Sequence, residues 1–122
     1  MSVNPQEIID HIELGTSPLD QRIRAVNAMC EAGYPVGILI APIILNDGWK
    51  EKYMDLINQL ADGLTEKTKK AMTIEMIFMT YSFVQNAINK EAFPEVPDLY
   101  DNQSMSCLLY TSDAADELDG VD

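Results

Sequence analysis

Residues 33–42 read GYPVGILIAP, and this stretch decides the fold class. The Gly33-Tyr34-Pro35 triplet punctuates the chain, because glycine and proline mark turns. Residues 36–41 are then apolar throughout, with none of the alternation of a sheet that has one wet face. That pattern predicts a buried parallel strand covered on both faces. A helical pattern lies on each side of it. Upstream, Ser17 is placed to cap a helix with Pro18 at its first position and Asp20 at the positive end of its dipole. Ile23, Val26 and Cys30 recur on one stripe, and Gly33 stops the helix near residue 32. Downstream, Asp47-Gly48 forms a turn, and Trp49, Tyr53, Leu56, Ile57 and Leu60 recur at helical spacing until Gly63.

The pattern continues outward. Residues 1–4 predict the end of a strand, and residues 5–11 a short helix opened by Pro5. Thr65 caps a short basic turn through Lys67, Lys69 and Lys70. Residues 73–78 form the next strand, and Ser82 caps a third helix carrying Phe83, Val84, Ala87 and Ile88. Pro94 and Pro97 break the pattern, and residues 98–106 read as loop. Strands alternating with helices imply right-handed βαβ units and a parallel sheet, hence an α/β fold. Ligands of such sheets bind beyond the carboxyl ends of the strands, so residues 41–45 and 79–82 are where site residues are expected.

The chain has 122 residues, enough for one small domain. A complete (β/α)8 barrel needs roughly 250 residues, so any barrel here is partial. An apolar content of 47% suits a globular chain. No run approaches the roughly 20 apolar residues of a membrane span. Glu7, Asp10 and Glu13 fall where a secretory leader would need an apolar core. Cys30 and Cys107 make neither a disulfide framework nor a metal site, and a cytoplasmic location is the default expectation. The net charge is −12, which taken alone argues against direct nucleic-acid binding. Residues 107–122, however, hold five of the acidic residues and no basic one; without them 15 acidic residues face 8 basic ones.

Residues 107–117, CLLYTSDAADE, resemble the translation of a transposase-type sequencing-library adapter, and residues 118–122 continue that frame. The expectation is therefore two parts: residues 1–106 as the protein proper, and residues 107–122 as a non-native disordered tail. An ordinary acidic C-terminus is the competing account.

Few residues invite chemistry on type and spacing alone. His11 has no partner ligand in register and reads as a surface histidine. Cys30 falls on an apolar stripe and reads as a small buried hydrophobe. Met72, Met76 and Met79 read as packing. Glu75 alternates with apolar neighbours, and either a barrel interior or a solvated strand face accounts for it. Lys67, Lys69 and Lys70 read as a solvated helix end before they read as a phosphate contact. There is no glycine-rich phosphate loop, no Ser-His-Asp set and no CxxC.

Residues 1–101 nevertheless resemble the C-terminal half of the spore photoproduct lyase family. The resemblance is carried by Ser2-Val3-Asn4, the GTSPLDQRI run at 15–23, Ala32-Gly33-Tyr34-Pro35-Val36-Gly37, Ile40-Ala41-Pro42-Ile43, Gly48-Trp49 and Thr73-Ile74-Glu75-Met76-Ile77. It thins after Phe78. The resemblance implies the later β/α units of a partial, here incomplete, (β/α)6 radical S-adenosylmethionine (SAM) barrel. It implies repair of the methylene-bridged thymine dimer in DNA, with a [4Fe–4S] cluster on a CxxxCxxC loop cleaving SAM to a 5′-deoxyadenosyl radical. DNA carrying the lesion is the implied partner; no protein partner and no membrane are implied. Two cofactor contacts carry over: Ser2, at a strand end, and Ala41, whose small side chain leaves room for adenine and whose backbone can read the ring edge. An exposed terminal residue and simple strand packing are the plain alternatives for these two.

The chain departs from the family pattern. It has no CxxxCxxC, so the cluster ligands are absent from it, and the hydrogen-donating cysteine region and the Arg/Tyr-rich lesion-binding segment are absent too. No catalytic or metal-ligating residue is assigned, and the expectation is a fragment inactive by itself. A stand-alone α/β binding or oligomerisation module, or a fragment of another radical SAM enzyme, is the alternative.

Overall fold

Strand β2 (Gly37–Ile43) is the centre of a three-stranded sheet of order β1-β2-β3, with β1 (Ser2–Val3) on one side and β3 (Thr73–Phe78) on the other. Both pairings are parallel, as the alternation of elements predicts. The computed structural model describes residues 1–79 and 82–95. The chain divides into two compact units, residues 1–79 and 80–122.

In the first unit the helices are α1 (Gln6–His11), α2 (Leu19–Glu31), α3 (Trp49–Gly63) and α4 (Glu66–Ala71). One core cluster joins Val3, Ile38, Ile40 and Ile43 of the sheet to Leu19, Ile23 and Val26 of α2 and to Tyr53, Leu56 and Leu60 of α3. Cys30 is buried on the same stripe of α2, as its spacing predicts. Ile57 departs from expectation: it is 41% exposed, because the buried stripe of α3 runs through Tyr53, Leu56 and Leu60 and turns Ile57 away.

Within residues 1–79 the helices cover one face of the sheet, not two. Ser2, Leu39 and Glu75 stand in register across the three strands, and paired residues share a face. That face is open: Leu39 is 37% exposed, and Ser2 and Glu75 are exposed beside it. On the helix side, Ile74 and Met76 pair with Ile38 and Ile40 yet remain 49% and 52% exposed. The stripes of α2 and α3 cover β1 and β2 and reach β3 at its end, where Trp49 meets Phe78 edge-on with ring centroids 6.1 Å apart, so Met76 is left half exposed rather than packed. Pairing of β2 with β3 is irregular between Ile40 and Ile43. Pro42, which has no N–H for a ladder, falls in that gap, and the Ala41–Pro42 peptide is cis.

Local chemistry sets the helix ends. The N-cap of α2 is Pro18, one residue later than expected, and no side chain of the cap residue bonds the first turn. Gln6 serves instead, its Oε1 accepting from the Leu19 N–H at 2.8 Å. At the other end Gly33 adopts φ 88°, and the N–H groups of Gly33 and Tyr34 reach the carbonyls of Cys30 and Met29. This is a Schellman closure, which needs a left-handed residue where side chains are disfavoured. Thr65 caps α4 by accepting from Thr68 N–H, as expected. Where α3 ends, Asn27 donates to the Gly63 carbonyl and accepts from Thr65 N–H, tying α2 to the α3–α4 turn. Gly63 permits this approach: a Cβ there would stand 2.9 Å from Ile23 Cγ2.

In the second unit, α5 (Phe83–Ala92) is capped by Ser82, whose hydroxyl accepts from Gln85 N–H. The expected loop at 98–106 and the expected tail at 107–122 lie outside the described residues.

Candidate functional site

Strand β1 and the carboxyl-terminal half of β2 meet through side chains rather than ladder bonds alone. Ser2 Oγ donates to the Ala41 carbonyl at 3.1 Å, so the two sequence-predicted contacts stand together. Ala41 lies two residues beyond Leu39 and therefore on the same open face as Ser2. The Ala41 carbonyl takes a second donor, Asn4 Nδ2 at 3.3 Å. Both its lone pairs are thus engaged, and this carbonyl is not free to read a ring edge. Ser2 has committed its proton and keeps acceptor capacity on Oγ. What it can offer a ligand is an acceptor, matched to a hydroxyl or amino group.

Beneath this pair lies a buried polar network that the sequence reading did not single out. Asn4 is fully buried. Its Nδ2 also donates to Glu13 Oε1 at 2.7 Å, and its Oδ1 accepts from the Tyr53 hydroxyl at 2.9 Å. That hydroxyl accepts from Ile44 N–H at 2.9 Å, which joins the chain just after β1 to the chain just after β2. Glu13 pairs through Oε2 with Arg22 at 2.7 Å, and the Arg22 side chain is only 7% exposed. Arg22 gives three further donors to the Ser17 carbonyl, the Ser2 carbonyl and Thr16 Oγ1. A buried guanidinium is tolerable only when paired and hydrogen-bonded in this way.

One titration responds to the site. Burial pushes the Tyr53 phenol above its ordinary value of 10.0, the nearby Glu13 charge adds to the rise, and the Ile44 N–H works against it. A sequence signal for the network did exist. Arg22 sits at the i+3 position from Leu19, inside the buried stripe of α2, where a charge demands a partner.

The remaining candidates fall where their plain readings place them. His11 is exposed, its Nδ1 against the Glu7 carbonyl. Lys67 pairs with Glu31 and Lys69 with Glu66, both on the surface. Asn46, in the loop after β2, has a buried Oδ1 with no donor among the described residues. Among those residues no group of three His, Cys, Asp or Glu could hold a metal ion, and no helix is long and apolar enough to cross a membrane.

Comparison with known proteins bears on this geometry. The family model described as spore photoproduct lyase matches residues 1–104. The spore photoproduct lyase of Bacillus subtilis (strain 168) is 34% identical over 94 residues, which cover 77% of this chain and 28% of the relative. That of Clostridium acetobutylicum is 30% identical over 95 residues, covering 76% and 27%. Among solved structures, a cysteine-to-alanine mutant of spore photoproduct lyase with dinucleoside spore photoproduct aligns with a TM-score of 0.75 at 29% identity, over 84% of this chain and 30% of that one. Spore photoproduct lyase complexed with dinucleoside spore photoproduct aligns with a TM-score of 0.72 at 31% identity, over 80% and 29%. The chain spans less than a third of the length of these relatives.

Proposed function

The chain belongs to the spore photoproduct lyase family, and from that premise we propose that residues 1–106 are the later β/α units of a partial (β/α)6 radical-SAM barrel in a DNA-repair enzyme. The reaction is a carbon–carbon lyase step that reverses the methylene-bridged thymine dimer, and the partner is DNA carrying that lesion. The enzyme is cytoplasmic. Residues 107–122 are a non-native tail in this reading. Relatives solved with dinucleoside spore photoproduct support the substrate class.

The observation that carries the reading is the meeting of Ser2 Oγ and the Ala41 carbonyl, 3.1 Å apart, where β1 lies against the carboxyl-terminal half of β2. Parallel sheets bind ligands at that end. The residues present fit SAM. Ser2 offers lone pairs to a donor group of the cofactor, the half-buried Ala41 puts only a methyl group against an adenine, and the orphaned Asn46 Oδ1 in the following loop calls for a donor. When bound, SAM supplies the radical that starts lesion cleavage; the residues described here bind and orient it. They do not fit the iron–sulfur cluster. Cys30, the described cysteine, is buried within α2, and a cluster needs several thiolates converging on a loop. In this proposal the cluster ligands lie outside this chain, and the chain by itself is inactive.

The test is to read the frame from intact genomic DNA and assay its product. The expected result is an upstream CxxxCxxC in frame, SAM binding that weakens in Ser2→Ala, and recovery of thymines from dinucleoside spore photoproduct after anaerobic reconstitution. A frame that opens at Met1 and closes at Asp122, giving a folded product that does not bind SAM, would overturn the proposal and favour a stand-alone binding module.

A further inference from the structure

We infer that Asn4 and Tyr53 are positioning residues: together they fix where the Ser2 hydroxyl stands relative to Ala41, and so decide how a cofactor meets the strand ends. The inference rests on the reading of Ser2 and Ala41 as SAM contacts.

Strand β1 is two residues long, so its ladder alone does little to hold Ser2. Polar side chains take over that task. Arg22 holds the Ser2 carbonyl from one side, and the Ala41 carbonyl holds the Ser2 hydroxyl from the other. The Ala41 carbonyl is in turn aimed by Asn4, and Asn4 is clamped at both ends of its amide, by Glu13 at Nδ2 and by Tyr53 at Oδ1. Tyr53 closes the loop by accepting from Ile44 N–H, beyond the irregular stretch of β2. Every polar atom of the Asn4 side chain is used, and neither Asn4 nor Tyr53 reaches the surface. Removing the Tyr53 hydroxyl leaves Asn4 Oδ1 and Ile44 N–H without partners and lets the Asn4 amide turn. Ala41 then loses one of its two donors, and Ser2 is free to re-aim. Neither residue needs to touch the cofactor for this to alter binding.

The experiment measures equilibrium binding of SAM and, separately, of dinucleoside spore photoproduct. It uses the full-length enzyme that carries this segment, at a temperature where circular dichroism shows each variant folded. Tyr53→Phe is expected to raise the SAM dissociation constant about three- to tenfold, the worth of one buried hydrogen bond, with lesion binding unchanged. Asn4→Asp gives a second, independent reading. The introduced carboxylate would face the Glu13 carboxylate, with the Arg22 guanidinium and the Tyr53 phenol as the other titratable groups around it. SAM binding by N4D should be weak near about pH 8 and stay weaker than wild type near about pH 5.5, because a proton shared by two facing carboxylates cannot also be donated to the Ala41 carbonyl. The inference is overturned if Ser2→Ala weakens SAM binding while Y53F and N4D bind it as wild type does at both pH values. If Ser2→Ala and Ala41→Leu both bind SAM normally, the cofactor reading itself fails, and this inference with it. Should Y53F not fold, the pH pair on N4D decides alone.

Discussion

The Tyr53 hydroxyl donates to Oδ1 of Asn4 at 2.9 Å, between side chains 49 residues apart in the chain. The Pro42 carbonyl, at 3.3 Å, is a second and more distant acceptor for the same hydroxyl. Because burial raises the phenol pKa above 10.0, the folded state holds this proton more tightly than the unfolded chain does. The resulting stabilisation is complete below about pH 10 and is lost as pH rises through the folded-state value. Thermal melts between about pH 9 and pH 11.5 should therefore fall more steeply for wild type than for Tyr53→Phe. Equal slopes would show that the phenol titrates normally.

Glu13 and Asp20 both pair with arginines, yet they should behave differently. The Arg22–Glu13 pair is 7% and 19% exposed, while the Arg24–Asp20 pair is 69% and 63% exposed. Glu13→Ala strands a buried guanidinium and should destabilise by about 3–5 kcal/mol. Asp20→Ala removes a screened surface pair and should change stability by less than about 1 kcal/mol. Urea denaturation of the two variants, side by side, measures the contrast.

Leu56 and Ile57 are sequence neighbours with opposite fates, at 0% and 41% exposed. Leu56→Ala should cost about 2–5 kcal/mol through lost burial and the cavity left behind. Ile57→Ala should cost about 1 kcal/mol or less. Near-equal losses in chemical denaturation would place the α3 stripe wrongly.

Asn46 invites a test of the opposite sign. Its buried Oδ1 makes no hydrogen bond among the described residues, so Asn46→Ala removes a desolvated acceptor and breaks nothing. The melting temperature should stay level or rise; a clear drop would mean that Oδ1 has a partner in solution.

Much of the fold was legible because apolar periodicity reports directly on burial. The strand expected at 36–41, which runs from 37 to 43, and the stripes of α2 and α3 follow from it, while β3 at 73–78 forms where expected although all of its residues are exposed. The one-sided cover of the sheet within residues 1–79 was not legible, since an apolar run looks the same whether one face or both are packed. The α2 cap was misplaced because Gln6, 13 residues before Leu19, supplies the oxygen that Ser17 was expected to give. In the candidate site, Ser2 and Ala41 came from family resemblance, and the geometry sets them 3.1 Å apart. Asn4, Glu13, Arg22 and Tyr53 stayed hidden because each looks ordinary alone. Their meaning lies in pairings across long stretches of chain, which periodicity does not report.

The close approach of Gly63 to Ile23 leaves a mark that sequences of relatives can carry. With 2.9 Å between an added Cβ and Ile23 Cγ2, neither position can grow without the other shrinking. The two sites should therefore exchange volume across the family, a methyl gained at one paired with a methyl lost at the other. Helix contact would then be inherited as a sum rather than as two separate residues.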